Sequence, residues 1–274
     1  MTSQTERGAA FAALHEREGM FLLPNPWDAG SAKILAALGY EALATSSAGF
    51  AASEGLGDYE ITRDMKMMHI RKLAEATDLP LSADLENGFG HRPEDCAETI
   101  RLGAEAGLVG GSIEDFTGNP DAPQYDILEA ADRVRAAVEA ARALPFQFTL
   151  TARAENFFTG VPDLADTIAR LQAYQEAGAD VLYAPGLRSL DDIRSVITSV
   201  DRPVNVLAIP DSRPLSLQEL AETGVKRLSL GPLLFNTAYG ALTHAARELL
   251  SEGSFGFTRH AVSANDLVAL MAKA

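Results

Sequence analysis

Eight short apolar runs, separated by longer helical patterns, constrain this chain more than any other feature of its sequence. They are MFLLP (20–24), ALATSSA (42–48), LPLSAD (79–84), VGGSIED (109–115), FQFTLTAR (146–153), DVLYAP (180–185), PVNVLAI (203–209) and KRLSLGP (226–232). Continuous apolar runs suit parallel strands covered on both faces. The stretches between them read as helices. AGSAKILAALG (29–39) ends on Gly39, placed to terminate a helix, and RPEDCAETIRLGAEAG (92–107) opens on Pro93 and two acids and ends on Gly107. VPDLADTIARLQAYQEAG (161–178), SLDDIRSVITSV (189–200) and SLQELAETG (216–224) repeat the pattern. Eight such units in about 250 residues predict a (β/α)₈ TIM-type barrel. The expected organisation is one barrel domain over residues 1–274, with a helical extension from about 241 to 274. A doubly wound open sheet is the alternative, but no G-x-G-x-x-G follows the first run. Residues 233–255 and 264–274 supply two helices where a barrel needs one. The surplus helix is available to cover the barrel or to pack on a partner subunit.

Charge and cysteine usage narrow the function. The formal net charge of -15 argues against a nucleic acid or an anionic membrane as partner, because both need a basic face. The one cysteine, Cys96, excludes an internal disulfide and fits a reducing, cytoplasmic setting. Its helical surroundings, PEDCAETI, mark it as a buried structural thiol. The N-terminus lacks the pattern of a signal peptide, and no apolar run approaches the ~18 residues of a membrane span.

In a barrel of this kind the site lies at the C-terminal ends of the strands. Those ends carry Asn25, Trp27 and Asp28; then Ser46, Ser47, Ala48 and Gly49; Asp84 and Glu86; Glu114 and Asp115; Arg153, Glu155 and Asn156; and last Tyr183, Asn205 and Ser229. Asp84 and Glu86, two apart in a strand, are expected to share a face. With Glu114 they form an acid set that a hard cation such as Mg²⁺ relieves of mutual repulsion; capping of the following helices is the alternative, favoured for Asp115. No His or Cys cluster has zinc spacing. Arg153 either receives a substrate carboxylate through its two-pronged fork or pairs internally with Glu155 or Glu114. Ser46 and the N–H groups of Ser47 and Ala48 read either as an oxyanion-binding turn or as a strand-end cap.

TSSAG, SADLENGFG, GSIED and TARAENF occur here in the order and spacing of the isocitrate lyase/phosphoenolpyruvate mutase superfamily, which the chain resembles from Asn25 to about residue 240. The resemblance implies an Mg²⁺-dependent barrel, with Mn²⁺ as a possible substitute, acting on small 2-oxo or 2-hydroxy acids. Such enzymes cleave or form C–C or P–C bonds through an enolate that chelates the metal. By position, Asp84 matches the direct metal ligand, and Glu86 and Glu114 match ligands acting mainly through water. Ser46, Ser47 and Ala48 match the turn that holds carboxylate and enolate oxygens, Asp58 an acid near the metal, and Arg153 the arginine for the substrate carboxylate. Trp27 and Asn205 complete the candidate substrate contacts. Family members are often tetramers that swap a C-terminal helix, so a homo-oligomer, tetramer or dimer, is implied.

One family motif is missing. The lyases carry K-(K/R)-C-G-H in a gating loop after the fourth strand, where the cysteine protonates the departing fragment. Here residues 114–126 read EDFTGNPDAPQYD, without Lys, Cys or His. Tyr125 is either a substitute acid or loop packing, and His91 stands at the edge of the site. Asn119, Arg188 and Arg213 are the residues left for a phosphoryl group or a distal carboxylate. The expected function is a C–C lyase for an oxaloacetate-, malate- or isocitrate-like acid. Alternatives are a P–C bond enzyme acting on phosphonopyruvate and a non-catalytic 2-oxo acid binding protein.

Overall fold

A computed structural model describes residues 2–210 and 215–274 of the chain. Arg213 lies outside the described residues. Eight parallel strands form one sheet: β1 (Phe21–Leu23), β2 (Leu43–Ala44), β3 (Leu81–Asp84), β4 (Gly110–Glu114), β5 (Thr149–Arg153), β6 (Val181–Tyr183), β7 (Val204–Leu207) and β8 (Arg227–Ser229). The sheet runs from β2 through β3 to β8 and then to β1. A hydrogen bond of 3.0 Å from Ala44 N to Pro24 O joins its two edges, and the barrel closes.

The helices are α1 (Gln4–Glu16), α2 (Ala29–Ala37), α3 (Ser47–Ser53), α4 (Arg63–Ala76), α5 (Pro93–Glu105), α6 (Ile127–Arg142), α7 (Leu164–Glu176), α8 (Leu190–Thr198), α9 (Leu217–Ala221), α10 (Leu233–Glu252) and α11 (Ala264–Met271). Of these, α1, α3, α4 and α6 add to the expected set. The run 42–48 divides after two strand residues. Ser46 turns the chain by accepting a hydrogen bond from Gly49 N at 3.1 Å, and α3 starts at Ser47.

Strand residues alternate between two environments. Leu81, Ala83, Ile113, Leu150, Ala152 and Leu182 face the helices and join Ile70, Ile100, Val134 and Leu171 in the main core. Their strand neighbours Ser82, Asp84, Ser112, Arg153 and Tyr183 face an interior cavity. The apolar runs are therefore apolar on the outer face, and polar side chains fill much of the barrel interior. Below it, α1 brings Phe11 and Leu14 into a cluster with Phe21, Leu23, Ala42, Ala44 and Val109, which seals the end where the strands begin. Gly8 permits that seat, since a Cβ there would lie 2.3 Å from Gln147 O.

Register places the site. Glu114, Arg153, Tyr183, Asn205 and Arg227 are paired in a single row across β4 to β8. Glu114 and Arg153 are the last residues of their strands, whereas Arg227 is the first of β8. The row thus descends from the mouth into the barrel, as the stagger of a closed sheet requires.

At the C-terminus, α10 runs without a break across residue 241, where the extension was expected to start, and ends on left-handed Gly253. α11 lies against α2 of the same chain. Among the described residues no helix is long and apolar enough to cross a membrane.

Candidate active site

A cavity of about 260 Å³ opens at the C-terminal ends of the strands. Ser46, Ser47, Ala48, Asp58, Asp84, Arg153 and Asn205 all line it. Asp84 is its centre. One carboxylate oxygen accepts from Arg153 Nη1 at 2.8 Å and from Glu86 N at 3.2 Å; the other accepts from Ser47 Oγ at 2.8 Å. Burial works to raise the Asp84 pKa, but the charges of Arg153 and Lys66 and the Ser47 hydroxyl outweigh it and hold the carboxyl below its usual range. Asp58 sits on the rim. Loss of water around its carboxyl and then repulsion by Asp84 raise its pKa.

Arg153 is engaged on every side. Besides Asp84 it meets Glu114 Oε2 at 3.1 Å and Glu155 Oε1 at 2.7 Å, and its guanidinium lies 5.1 Å from the centre of the Tyr183 ring. The internal ion pairs weighed for it are formed, with a third acid added. Burial raises Glu155 to about 7 and Glu114 well above the usual carboxylate range, with Arg153 opposing both shifts.

Glu86 corrects the strand-based reading. The strand ends at Asp84, and Glu86 takes a left-handed φ of 49°, followed by Gly88 at 83° and Phe89 at 57°. Period-2 alternation holds only in extended backbone. Glu86 therefore leaves the face of Asp84 and lines a separate open groove with Tyr59, Arg63 and His91. The turn is held by Arg133 of α6, which donates to the carbonyls of Asn87, His91 and, at 2.9 Å, Gly90. Burial and the Asp84 charge push Glu86 up to about 8.

The expected set of Asp84, Glu86 and Glu114 does not close on one point. Among the described residues no three His, Cys, Asp or Glu side chains converge tightly enough to hold a cation by themselves. Arg153 stands between Asp84 and Glu114, and the turn carries Glu86 aside. A looser arrangement remains open. Mg²⁺ binds through one or two carboxylates and completes its shell with water and substrate oxygens. The buried Glu86 Oε1, which has no hydrogen-bond partner among the described residues, is the kind of open acceptor such a shell uses.

The other expectations separate cleanly. Trp27 does not line the cavity; its ring packs edge-on against Phe235 at 5.6 Å. Asn205 does line it, with its amide committed to Ser229 Oγ at 2.9 Å and Arg227 Nε at 2.8 Å. Asp115, expected to cap a helix, instead accepts from Arg170 at 3.1 Å and Tyr174 Oη at 2.6 Å in the core. Tyr125 is buried, bonded to His91 Nδ1 at 2.7 Å and stacked under Arg133, so it packs the loop. Cys96 is fully buried beneath Gly88, and burial pushes its thiol up to about 11.

Three residues in or behind the site carried no expectation. Tyr59, with φ 64°, donates to Glu114 Oε1 at 2.7 Å and lines both the cavity and the groove. Lys66 of α4 is fully buried, its Nζ without a hydrogen-bond partner among the described residues, and its charge acts on Asp84, Glu86 and Asp58. Arg227 lines the cavity floor. Tyr59 follows a motif acid directly, and Lys66 is a charge on a largely apolar helix face (Met67, Ile70, Leu73, with His69); those were the only signals in the sequence.

An (β/α)₈ barrel whose mouth gathers acids, a short-helix turn and an arginine is a scaffold for small anionic substrates. Comparison with known proteins narrows this. The family model described as phosphoenolpyruvate phosphomutase matches residues 11–250. The chain is 31% identical to 2-methylisocitrate lyase of Escherichia coli K12 over 258 residues, covering 90% of this chain and 86% of that protein. A provisionally assigned lyase/mutase from Burkholderia cenocepacia J2315 superposes with a TM-score of 0.96 at 55% identity, over 98% of this chain and 96% of that one. At the level of fold alone, an oxaloacetate acetylhydrolase solved with its product oxalate matches with a TM-score of 0.89 at 22% identity, over 99% and 96% of the two chains. The chain belongs to the isocitrate lyase/phosphoenolpyruvate mutase superfamily of enzymes.

Proposed function

We propose that the chain is an Mg²⁺-dependent lyase, with Mn²⁺ able to substitute, that cleaves a C–C bond of a small 2-oxo or 2-hydroxy carboxylic acid. The observation that carries this reading is the meeting of Asp84, Ser47 and Arg153 at one cavity mouth, from three separate strand ends. Asp84 would hold the cation directly, and Glu86 and Glu114 through water. When bound, the cation supplies fixed positive charge for oxygens that become negative during the reaction.

The chain's own residues do the rest. Ser46 and the first-turn N–H groups of Ala48 and of Ser47, the latter 3.5 Å from Asp84 Oδ2, have no carbonyl partner within α3 and orient the substrate's carboxylate and adjacent oxygen. Arg153 offsets the charge of Asp84, Glu114 and Glu155, so an anionic substrate is not repelled from an acidic mouth. Asp58 holds or releases a proton at the rim. Asn205 shapes the cavity wall, and Trp27 packs on Phe235 at the start of α10. The 116–126 loop offers no group for phosphoryl chemistry beyond Asn119, and it is folded on itself through a Phe116–Gln124 bridge and the Thr117 hydroxyl on Ala122 O at 2.6 Å. This favours C–C over P–C cleavage. One domain, a cytoplasmic setting and a homo-oligomer, dimer or tetramer, belong to the same reading; exposed Leu242, Leu249 and Leu250 on α10 support the last.

The test is a product screen. Oxaloacetate, substituted malates, isocitrate, methylisocitrate and phosphonopyruvate are incubated with the protein in Mg²⁺ or in EDTA and followed by proton and phosphorus NMR. A Mg²⁺-dependent 2-oxo acid product without phosphate is expected. Phosphate released from phosphonopyruvate would replace the reading with a P–C enzyme. No product from any compound, with oxalate still bound, would replace it with a binding protein.

A further inference from the structure

We infer that Arg227 forms a second anion subsite, at the floor of the cavity, that takes the distal carboxylate of a dicarboxylic substrate. The inference deepens the proposed function and rests on it for the other end of the molecule.

Arg227 is 4% exposed, yet it lines the same cavity as Asp84. It starts β8, whereas Asp84 ends β3, so the two mark different depths of one space. Its hydrogen-bond partners are all neutral. Nε donates to Asn205 Oδ1 at 2.8 Å, Nη2 to Thr151 Oγ1 at 3.0 Å, and Nη1 meets His15 Nε2 at 3.3 Å. His15 Nδ1 lies 2.8 Å from Phe11 O; a carbonyl only accepts, so the imidazole proton is on Nδ1 and Nε2 receives from Arg227. Burial and the Arg227 charge lower the His15 pKa to about 3, which keeps the ring neutral.

A guanidinium has five N–H donors, and these contacts use three of them. One N–H remains on each terminal nitrogen. No carboxylate among the described residues pairs with Arg227. The other buried arginines differ: Arg153 and Arg170 each meet acids, and Arg133 is taken up by three backbone carbonyls. Arg227 alone of these four is a desolvated cation without an opposite charge that also faces a cavity. An unpaired buried charge is unfavourable, and a ligand anion in that cavity compensates it. The two remaining N–H groups, one on each terminal nitrogen of a planar guanidinium, equal in number the two oxygens of a carboxylate. Arg153, tied to three acids, has little left for this task. Asn205, which lines the same cavity, holds Arg227 in position through its Oδ1.

The experiment compares 2-oxoglutarate with 2-oxopentanoate, which differ only in the distal carboxylate, and adds oxalate as a probe of the mouth. Binding to wild type, Arg227→Gln and Arg227→Lys is measured by calorimetry in Mg²⁺, with circular dichroism checking the fold. Wild type should prefer 2-oxoglutarate by about ten- to a hundredfold, the range for a charge-assisted hydrogen-bonded pair. Arg227→Gln should erase that preference while oxalate still binds, and Arg227→Lys should keep part of it. A wild type that binds both oxo acids equally, or neither, overturns the inference even if no variant folds. So does an Arg227→Gln that keeps the preference, or that weakens oxalate as much as 2-oxoglutarate. Loss of Mg²⁺-dependent oxalate binding in wild type itself would instead strike the proposed metal site, and the comparison of the two oxo acids would still be read.

Discussion

Arg133→Met tests whether the turn after β3 is imposed from outside itself. Glu86 and Phe89 are non-glycine residues held at φ 49° and 57°. Each such left-handed residue costs on the order of 1–3 kcal/mol and persists only when its surroundings enforce it. Arg133, 1% exposed, makes the largest outside contribution, donating to Asn87 O, Gly90 O and His91 O, while Thr99 Oγ1 donates to Gly88 O at 2.7 Å and Arg63 reaches Gly88 O and Phe89 O at 3.3 Å. Each charge-assisted bond contributes roughly 1.5–3 kcal/mol. Their gross sum overstates the effect, because methionine removes a guanidinium that folding had to desolvate. What remains is three partly buried carbonyls that lose the guanidinium, with Asn87 O keeping the Cys96 thiol at 3.6 Å, and a strained turn released, a net loss of about 3–5 kcal/mol. Urea unfolding followed by circular dichroism measures it, and hydrogen exchange at the amides of residues 87–91 should accelerate in the same variant. Arg133→Lys, which keeps a charge but not the fork, should fall between. A loss below about 1 kcal/mol, with unchanged exchange in the turn, would refute the reasoning and make the turn self-supporting.

Three further outcomes follow from particular contacts. Asp84→Ala should abolish the Mg²⁺-dependent part of oxalate binding in calorimetry with and without EDTA; binding unchanged in that variant removes the metal assignment. His15 is neutral when folded, with a pKa near 3, whereas an unfolded histidine takes up a proton below about 6.5. The folded state is therefore fully favoured above about 6.5 and loses stability as pH falls from there toward 3. The wild-type advantage over His15→Gln should shrink by about 2 kcal/mol between about pH 7 and pH 5, and a difference independent of pH would show that the ring is not held neutral. Gly8→Ala places a Cβ 2.3 Å from Gln147 O, so α1 must lift. Thermal melts should show destabilisation of roughly 1–3 kcal/mol, and an unchanged melt would mean that α1 does not seal the barrel.

Much of the fold was legible because each barrel unit repeats one local pattern. An apolar run, a polar strand end and a helix closed by glycine are visible within about 30 residues, and the eight runs became the eight strands. What escaped was decided at a distance. α1 reads as an unremarkable terminal segment until Phe11 and Leu14 meet strand residues far along the chain. The run 42–48 looks like one strand, and only the Ser46 cap shows where it stops. In the site, Asp84, Asp58, Ser46, Ser47 and Arg153 were marked by motif, and one cavity gathers them. Trp27 was named beside them and packs edge-on against Phe235, outside the cavity lining.

Side-chain direction and charge balance separate the two kinds of knowledge. The chain by itself determined which residues end the strands, because hydrophobic periodicity and glycine placement are local properties. It could not determine that Glu86 turns away from Asp84, since the turn is met by side chains distant in sequence, among them Arg63 and an arginine 42 to 46 residues further on that reaches back to three carbonyls. Nor could it determine that Arg153 is saturated by acids while Arg227 is not. Both are arginines on inner strand positions. The stagger of the closed sheet places one among carboxylates at the mouth and the other among neutral groups at the floor.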